Sequence, residues 1–265
     1  MDELTISAPV LFISDVHLGG FSHSENARIE SELIQLIQYC RNSEIQIVVL
    51  GDLFDYWMEF PGHVPSLGRS LLDRFEAYNR EWGATLYITG NHDYWTRGHL
   101  AGRGFHIISE YIKLSVDEKK IMLLHGDGLA DASFDLRRPL LHRLLRHSDF
   151  ITWYQRLLSP PLGLWIMKYF SRFNRWMDRH QNHEAILSGW ARQQLRHSEL
   201  DLIIAGHDHV PRRKQFSFGR YINIGTFYKH RTMAFYNNRR AELVYWQPGT
   251  QSLQPFDSAN TIEDE

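Results

Sequence analysis

Two hydrophobic periods divide the chain. In the first half, residues 10–14, 45–50 and 85–89 are short continuous apolar runs bounded by Gly or Asp, the pattern of strands buried on both faces. Between them, residues 25–41 and 67–82 carry apolar side chains at i, i+3 and i+4 and predict amphipathic helices. This βαβαβ alternation implies a parallel sheet with right-handed crossovers. From Tyr111 the runs shorten. Residues 111–116 and 119–124 predict a hairpin turning at Asp117-Glu118, and 202–205, 214–218, 220–224, 233–236 and 241–246 predict further short strands of a mixed, partly antiparallel second sheet. Beyond Pro248 the chain is polar without periodicity, which predicts one domain over residues 1–250 and a disordered tail over 251–265.

Residues 131–197 fit neither pattern and are expected to be a helical insertion between two strands of the second sheet. They are apolar (Leu140, Leu144, Trp165, Met167, Phe170, Trp176) and also basic. From Asp135 onward, Arg137, Arg138, Arg143, Arg146, Arg156, Lys168, Arg172, Arg175, Arg179, Arg192 and Arg196 stand against Asp135, Asp149, Asp178 and Glu184. Pro160-Pro161 divides the stretch into two helical halves. Part of it is accounted for by ordinary packing on the body. The excess of arginine beside aromatics also suits a helix at an anionic membrane surface, and more weakly a single-stranded nucleic acid.

At 265 residues, 43% hydrophobic and 23% charged, the chain can bury one full core as an ordinary globular protein. Its net charge of −2 does not nominate nucleic acid or an anionic membrane as partner, so any such preference must come from a local patch. The lone Cys40 excludes an intrachain disulfide and fits a reducing compartment. The acidic N-terminus lacks a secretory pattern, and no stretch reaches the ~18 apolar residues of a membrane span. A cytoplasmic protein is expected, with peripheral contact at the cytoplasmic face of the inner membrane as an added option.

The placement of the histidines changes the picture more than their number, 15. Five segments share one design, in which an apolar strand runs out into a turn that bears metal-type ligands. They are Asp15-x-His17, Gly51-Asp52, Gly90-Asn91-His92-Asp93, His125-Gly126-Asp127 and Gly206-His207-x-His209. Ligands at strand C-termini converge in one crevice of an α/β fold, and the flanking glycines permit sharp turns. Carboxylate, carboxamide and imidazole without thiolate suit Mn²⁺, Fe²⁺ or Zn²⁺ and argue against structural zinc. Seven ligands are too many for one such ion. Two ions sharing Asp52 would use them, Asp15, His17 and His209 completing one site and Asn91, His125 and His207 the other. Such a pair acidifies water and clamps a phosphoryl group. His92, beside Asn91, is expected to donate to a phosphoryl oxygen or protonate a leaving group, with Asp93 fixing its tautomer. His23, His63, His142 and His183 lack this context and read as surface residues. Tyr56, Trp57, Tyr94 and Trp95, which follow metal-bearing turns, read as packing under the loops, with a rim for a nucleobase or acyl chains as the alternative.

Taken together, the five segments resemble the signature of the calcineurin-like metallophosphoesterases over residues 11–246. That resemblance implies a four-layer α/β/β/α sandwich of two mixed sheets and hydrolysis of phosphoesters. The ligand assignment above rests on it as much as on spacing. Ser14-Asp15-Val16-His17-Leu18-Gly19, Gly51-Asp52-Leu53-Phe54-Asp55-Tyr56-Trp57, His125-Gly126-Asp127-Gly128 and the helical insertion are most similar to the UDP-2,3-diacylglucosamine hydrolases of lipid A synthesis. In that family the insertion is a lid over a groove for two acyl chains. The resemblance implies hydrolysis of UDP-2,3-diacylglucosamine, a lipid-linked nucleotide sugar, to UMP and 2,3-diacylglucosamine 1-phosphate, with two divalent ions, Mn²⁺ first. The better-known branch has Arg where this chain has His92, which matches a second branch and the wider superfamily. The readings set against this one are another nucleotide diphosphate, a cyclic nucleotide or a phosphoprotein as substrate, and a non-catalytic binding module. No nucleic-acid partner is expected, and the oligomeric state is left open.

Overall fold

The three apolar runs become the centre of a parallel sheet: β1 (Val10–Ile13), β2 (Gln46–Leu50) and β3 (Thr85–Ile88). They pair in register as Phe12↔Val48 and Val48↔Leu86. Crossovers run through α1 (His23–Asn42) and α2 (Arg69–Trp82). Helix α1 starts two residues ahead of its apolar pattern because Ser22 caps it, in a reciprocal box with Glu25. In this computed structural model residues 6–178, 183–256 and 261–262 are described.

A fourth parallel strand, β4 (Phe105–Ile108), follows the short helix α3 (His99–Gly102). The apolar pattern missed it because it is an edge strand of four residues interrupted by exposed His106. The expected hairpin is present as β5 (Tyr111–Val116) and β6 (Lys119–Leu124). After the insertion, β7 (Leu202–Ala205) lies parallel to β6, followed by β8 (Arg212–Phe216) and β9 (Gly219–Asn223). A short helix then leads into an antiparallel pair, β10 (Thr232–Asn237) and β11 (Arg240–Gln247), that returns to the first sheet against β1. With β12 (Ser252–Pro255) and β13 (Thr261–Ile262), the sheet orders among the described residues are β12-β11-β10-β1-β2-β3-β4 and β13-β8-β9-β7-β6-β5.

The tail departs from expectation. Ser252–Pro255 is strand β12, antiparallel to β11 with Trp246 opposite Leu253, and Thr261–Ile262, β13, pairs with β8. Too short to show a period, β12 is held by backbone bonds and by Leu253 packing on the core. Residues 257–260 and 263–265 of the expected tail lie outside the described residues.

Alternation along the strands sorts the core into layers. Val10 and Phe12 face the second sheet, where they meet Leu123, Ile204 and Ile222, while Leu11 and Ile13 face α1 and α2. Each fully buried side chain of this size contributes about 1.5–3 kcal/mol. On the far side, Met122, Ile203 and Tyr221 are covered by Leu187, Trp190, Ala191 and Leu195. The chain is thus an α/β/β/α sandwich of two mixed sheets.

That outer cover changes the expected insertion. Among the described residues it is not two halves but four α-helices: α4 (Leu140–Leu145), α5 (Ser148–Leu157), α6 (Pro160–Asp178) and α7 (His183–His197). Pro160 and Pro161 open α6, where proline's missing N–H costs nothing. Helix α7 is the crossover between parallel β6 and β7 and belongs to the sandwich. The lid proper is α4–α6, which packs Tyr154, Phe150, Leu164 and Met167 against Met58, Phe60 and Trp95.

Candidate metal centre

Each candidate ligand leaves the C-terminal end of a strand, and both sheets contribute. Asp15 and His17 follow β1, Asp52 follows β2, and Asn91 follows β3. His125 follows β6, and His207 and His209 follow β7. The β1 and β2 turns are stitched together by Val16 N–H and His17 N–H donating to the Asp52 carbonyl at 2.9 and 3.0 Å. The two halves of the second sheet are joined by Gly206 N–H donating to the His125 carbonyl at 2.9 Å.

All seven side chains meet. In one group, His209 Nε2 lies 3.1 Å from Asp15 Oδ1 and 3.2 Å from His17 Nε2, which is itself 3.8 Å from Asp52 Oδ2. In the other, His125 Nε2 lies 3.3 Å from the same Asp52 Oδ2 and 3.1 Å from Asn91 Oδ1, with the His207 ring 5.1 Å from that of His125. Asp52 Oδ2 therefore faces both groups, and each could hold a divalent cation.

The backbone is shaped for this meeting. Asp15, His17, Asp52, His207 and His209 all have φ between 49° and 69°, a left-handed conformation that costs a non-glycine residue about 1–3 kcal/mol and is typically kept at functional sites. Gly51 and Gly126 also have positive φ (87° and 121°), but Gly90 and Gly206 are needed for space. A Cβ on Gly90 would lie 2.0 Å from Asp52 Oδ1, and one on Gly206 2.4 Å from Asp15 Oδ2.

The electrostatics fit positive charge at the centre. Asp15 Oδ1 and Asp52 Oδ2 are buried without a hydrogen-bond partner, which is costly for ionised oxygens unless a cation faces them. Burial alone would raise both carboxyls. The surrounding imidazoles, His17 and His209 at Asp15 and His125 and His92 at Asp52, instead hold them well below the carboxylate range. Burial would lower His125, but the charge of Asp52 lifts it to about 10. The anionic pocket thus favours positive charge beside Asp52.

Outer partners fix which nitrogen each ring presents. His125 Nδ1–H donates to the Leu50 carbonyl at 2.8 Å, leaving Nε2 for the crevice. Behind His17, Nδ1 is 3.4 Å from Asp55 Oδ1. His92 Nδ1–H donates to the Asp55 carbonyl at 2.8 Å, so its Nε2 also faces the crevice, 3.9 Å from Asp52 Oδ2. Asp93 does not set the His92 tautomer. Its carboxylate accepts from Leu53 N–H and Gly90 N–H at 2.8 Å each and from the Tyr87 hydroxyl, and so ties the Asp52 turn to the Asn91 turn.

Asp55 and Tyr228 were not anticipated as site residues. Asp55 stands one turn beyond Asp52 in Gly51-Asp52-Leu53-Phe54-Asp55, a spacing that in retrospect marks a carboxylate returning behind the ligands. Tyr228, whose ring is 5.8 Å from His17 and 6.1 Å from His209, arrives on the short helix Phe227–His230 after β9 with no sequence signal. Of the four aromatics, Trp57 and Trp95 are core. Tyr56 and Tyr94 are half-buried on the rim under lid cations, with Arg146 4.6 Å above Tyr94 and Lys168 Nζ 5.8 Å from Tyr56.

A strand-borne ligand set of this composition coincides with the extent of a known sequence family: residues 8–211 match the calcineurin-like phosphoesterases. The chain belongs to that family. It is a metal-dependent phosphoesterase, and its relatives narrow the comparison. A UDP-2,3-diacylglucosamine hydrolase of Porphyromonas gingivalis is 26% identical over 227 residues, 76% of this chain and 83% of that one. That of Blochmanniella pennsylvanica is 27% identical, covering 89% of this chain and 95% of its own. That of Pectobacterium carotovorum is 27% identical over 88% and 97%. The crevice is open on one side, where His209 is a third exposed.

Proposed function

We propose that this phosphoesterase hydrolyses the diphosphate of UDP-2,3-diacylglucosamine. Water attacks the phosphorus that carries the uridine, the bridging P–O bond breaks with 2,3-diacylglucosamine 1-phosphate as the leaving group, and UMP, which keeps the water oxygen, is released beside it. The relatives above carry that activity in their names. The observation that carries the reading is the lid. Leu140 is 79% exposed, Leu157 61%, Trp153 59% and Trp165 56%, a concentration of bare apolar surface on the helices beside the crevice. Scattered exposed leucines need no explanation, whereas several large apolar side chains left bare on the helices of one lid beside a site suit an apolar ligand.

Asp15, His17, Asp52 and His209 would hold one divalent ion and Asp52, Asn91, His125 and His207 the second, Mn²⁺ being the working choice for a nitrogen and oxygen ligand set. Such ions neutralise charge at a phosphoryl group and acidify water. The chain's own residues do the rest. His92 presents Nε2 to the crevice and, when protonated there, donates to a phosphoryl oxygen as charge builds. Removing one preorganised donor of this kind typically costs ~3–4 kcal/mol of transition-state stabilisation. Asp55 orients two of the rings, one through its carboxylate and one through its carbonyl. Asp93 holds the turns in place.

The apolar lid face would take the acyl chains, and exposed Arg137 and Arg156 would rest on anionic headgroups at the cytoplasmic face of the inner membrane. This basic contribution is smaller than the residue count suggested. Arg138 and Arg146 are engaged below the lid, while Arg192 and Arg196 lie on α7 over Phe216 and Phe218. The side chains of Arg172, Arg175 and Arg179 lie outside the described residues. No described helix is long and apolar enough to cross a membrane.

The test is a product assay with Mn²⁺-loaded protein and UDP-2,3-diacylglucosamine, beside an Asp52→Ala control. UMP release by the wild type alone is expected. Cleavage of an aryl phosphate without UMP release would refute the substrate while leaving the phosphoesterase intact.

A further inference from the structure

The most heavily engaged residue of the lid touches neither candidate ion group. Arg146, the residue that ends α4, is 10% exposed and reaches down from the lid to three separate strand ends. Its Nη2 donates to the Gly90 carbonyl at 2.7 Å, beyond β3, and to Asp127 Oδ2 at 3.0 Å, beyond β6. Its Nη1 donates to the Ser109 carbonyl at 3.1 Å, beyond β4. The guanidinium plane sits 4.6 Å above the Tyr94 ring. Gly90 and Ser109 belong to the first sheet and Asp127 to the second.

Gly90 precedes Asn91, and Asp127 follows His125 by two residues. Asn91 Oδ1 and His125 Nε2, 3.1 Å apart, come from opposite sheets. Arg138 reinforces the second-sheet end of this bridge. It donates to Asp127 Oδ2 at 3.2 Å, to both oxygens of Glu110 at 3.0 Å, and to the Gly128 carbonyl at 2.7 Å. Among the described residues no backbone ladder crosses the gap between the two sheets there, so their separation at this point depends on side chains. A buried guanidinium with several fixed donors is suited to that task, because its geometry is rigid and its charge is satisfied only when all partners are in place.

We propose that Arg146 is a positioning residue: it clamps the two sheets at the crevice and so couples the seating of the lid to the geometry of the Asn91–His125–His207 ion group. The proposal rests on the reading that those residues hold a divalent ion. With the lid seated, the clamp sets the distance between Asn91 and His125. With α4 displaced, the Asn91 turn loses the Gly90–Arg146–Asp127 bridge to the second sheet and keeps only the His125 contacts to Leu50 and Asn91, while the Asp15–His17–His209 group, which Arg146 does not touch, keeps its geometry. Asymmetry between the two ion groups is the mark of such a device.

The test uses the full chain, metal-free, titrated calorimetrically with Mn²⁺, with the exchange-coupled electron paramagnetic resonance signal of the Mn²⁺ pair as a second readout. Wild type is expected to bind two ions. Arg146→Ala should bind one with wild-type affinity and the other about 10–100-fold more weakly, the range typical of lost outer-sphere partners, with the coupled signal lost at stoichiometric metal. Arg146→Lys, which keeps a charge for Asp127 but cannot reach both carbonyls, should fall between. Arg143→Ala, an exposed arginine on the same helix, should match wild type. Two ions bound with wild-type affinity by Arg146→Ala would overturn the proposal, as would equal weakening of both. Should the alanine variant fail to fold, wild-type affinities in the lysine variant would overturn it. A wild type that binds fewer than two ions would sink the two-ion reading itself, a result separate from any difference among the variants.

Discussion

Replacing Asp93 by alanine separates two roles for this carboxylate. It is fully buried, and its oxygens accept from Leu53 N–H, Gly90 N–H and the Tyr87 hydroxyl. Alanine strands all three donors. Each buried group left without a partner costs about 1–3 kcal/mol, and at the low end of that range three donors amount to about 3 kcal/mol. For a chain of this size each kcal/mol lowers Tm by roughly 2–4 °C, so Tm should fall by about 6–12 °C. The measurement is thermal or urea unfolding of metal-free protein, so that ion binding adds nothing to the difference. Tyr87→Phe removes one of the donors. It should cost on the order of 1 kcal/mol alone and much less in the Asp93→Ala background, because its acceptor is already gone. Unfolding of Asp93→Ala within 1 kcal/mol of wild type, together with a displaced pH optimum of hydrolysis, would refute this reasoning. It would return Asp93 to the role of setting the His92 tautomer.

Further outcomes follow from other contacts. Asp55→Ala should weaken the affinity of the His17 ion group for Mn²⁺ about 10–100-fold with little loss of fold, read by calorimetric titration; unchanged affinity would remove Asp55 from the site. Glu32 accepts two hydrogen bonds from Arg231, at 2.6 and 2.8 Å, and one from Arg28 at 2.9 Å. Burial alone would raise its carboxyl, but Arg231 and Arg28 lower it below the ordinary value of 4.5. Its contribution is therefore present above that value and is lost as pH falls through the lowered one. Glu32→Gln should be less stable than wild type at pH 7, and the gap should close on acidification below pH 4.5, as followed by urea midpoints; a constant gap contradicts this. Deleting α4–α6 with a short linker should leave a folded protein that has lost hydrolysis of the lipid substrate. Deleting residues 131–197 should abolish folding, since it also strips Leu187, Trp190 and Leu195 from the second sheet. That loss is on the order of 10 kcal/mol, comparable to a whole domain's net stability. Circular dichroism of the two deletions distinguishes them.

What could be read before folding, and what could not, divides along physical lines. The strands β1, β2, β3 and β7 were legible because buried parallel strands are nearly continuous apolar runs that end abruptly at the ligand turns, and β6 because it forms a hairpin with β5. The candidate ligand positions were legible because five strand-and-turn segments repeat one pattern, and the structure brings all seven side chains together. Contacts that depend on the approach of distant segments had no local signature. Nothing in Gly90-Asn91-His92-Asp93 tells that the histidine's partner is the Asp55 carbonyl while its neighbour Asp93 turns to Leu53 and Tyr87. The insertion shows the same limit more sharply. Amphipathic periodicity reports that a helix has an apolar face and is silent on what covers that face. The helix α7, buried on the second sheet, and α5, bearing exposed Trp153 and Leu157, look alike as patterns. Only topology separates them: parallel β6 and β7 require a covering crossover, α7 is the last helix before β7, and the helices before it are then free to serve as a lid. The same reasoning explains the arginines. Their number suggested a basic surface, yet the two that matter most to the site, Arg138 and Arg146, are buried between Asp127 and the strand ends. A charge that must hold two sheets together is withdrawn from the surface it would otherwise make basic.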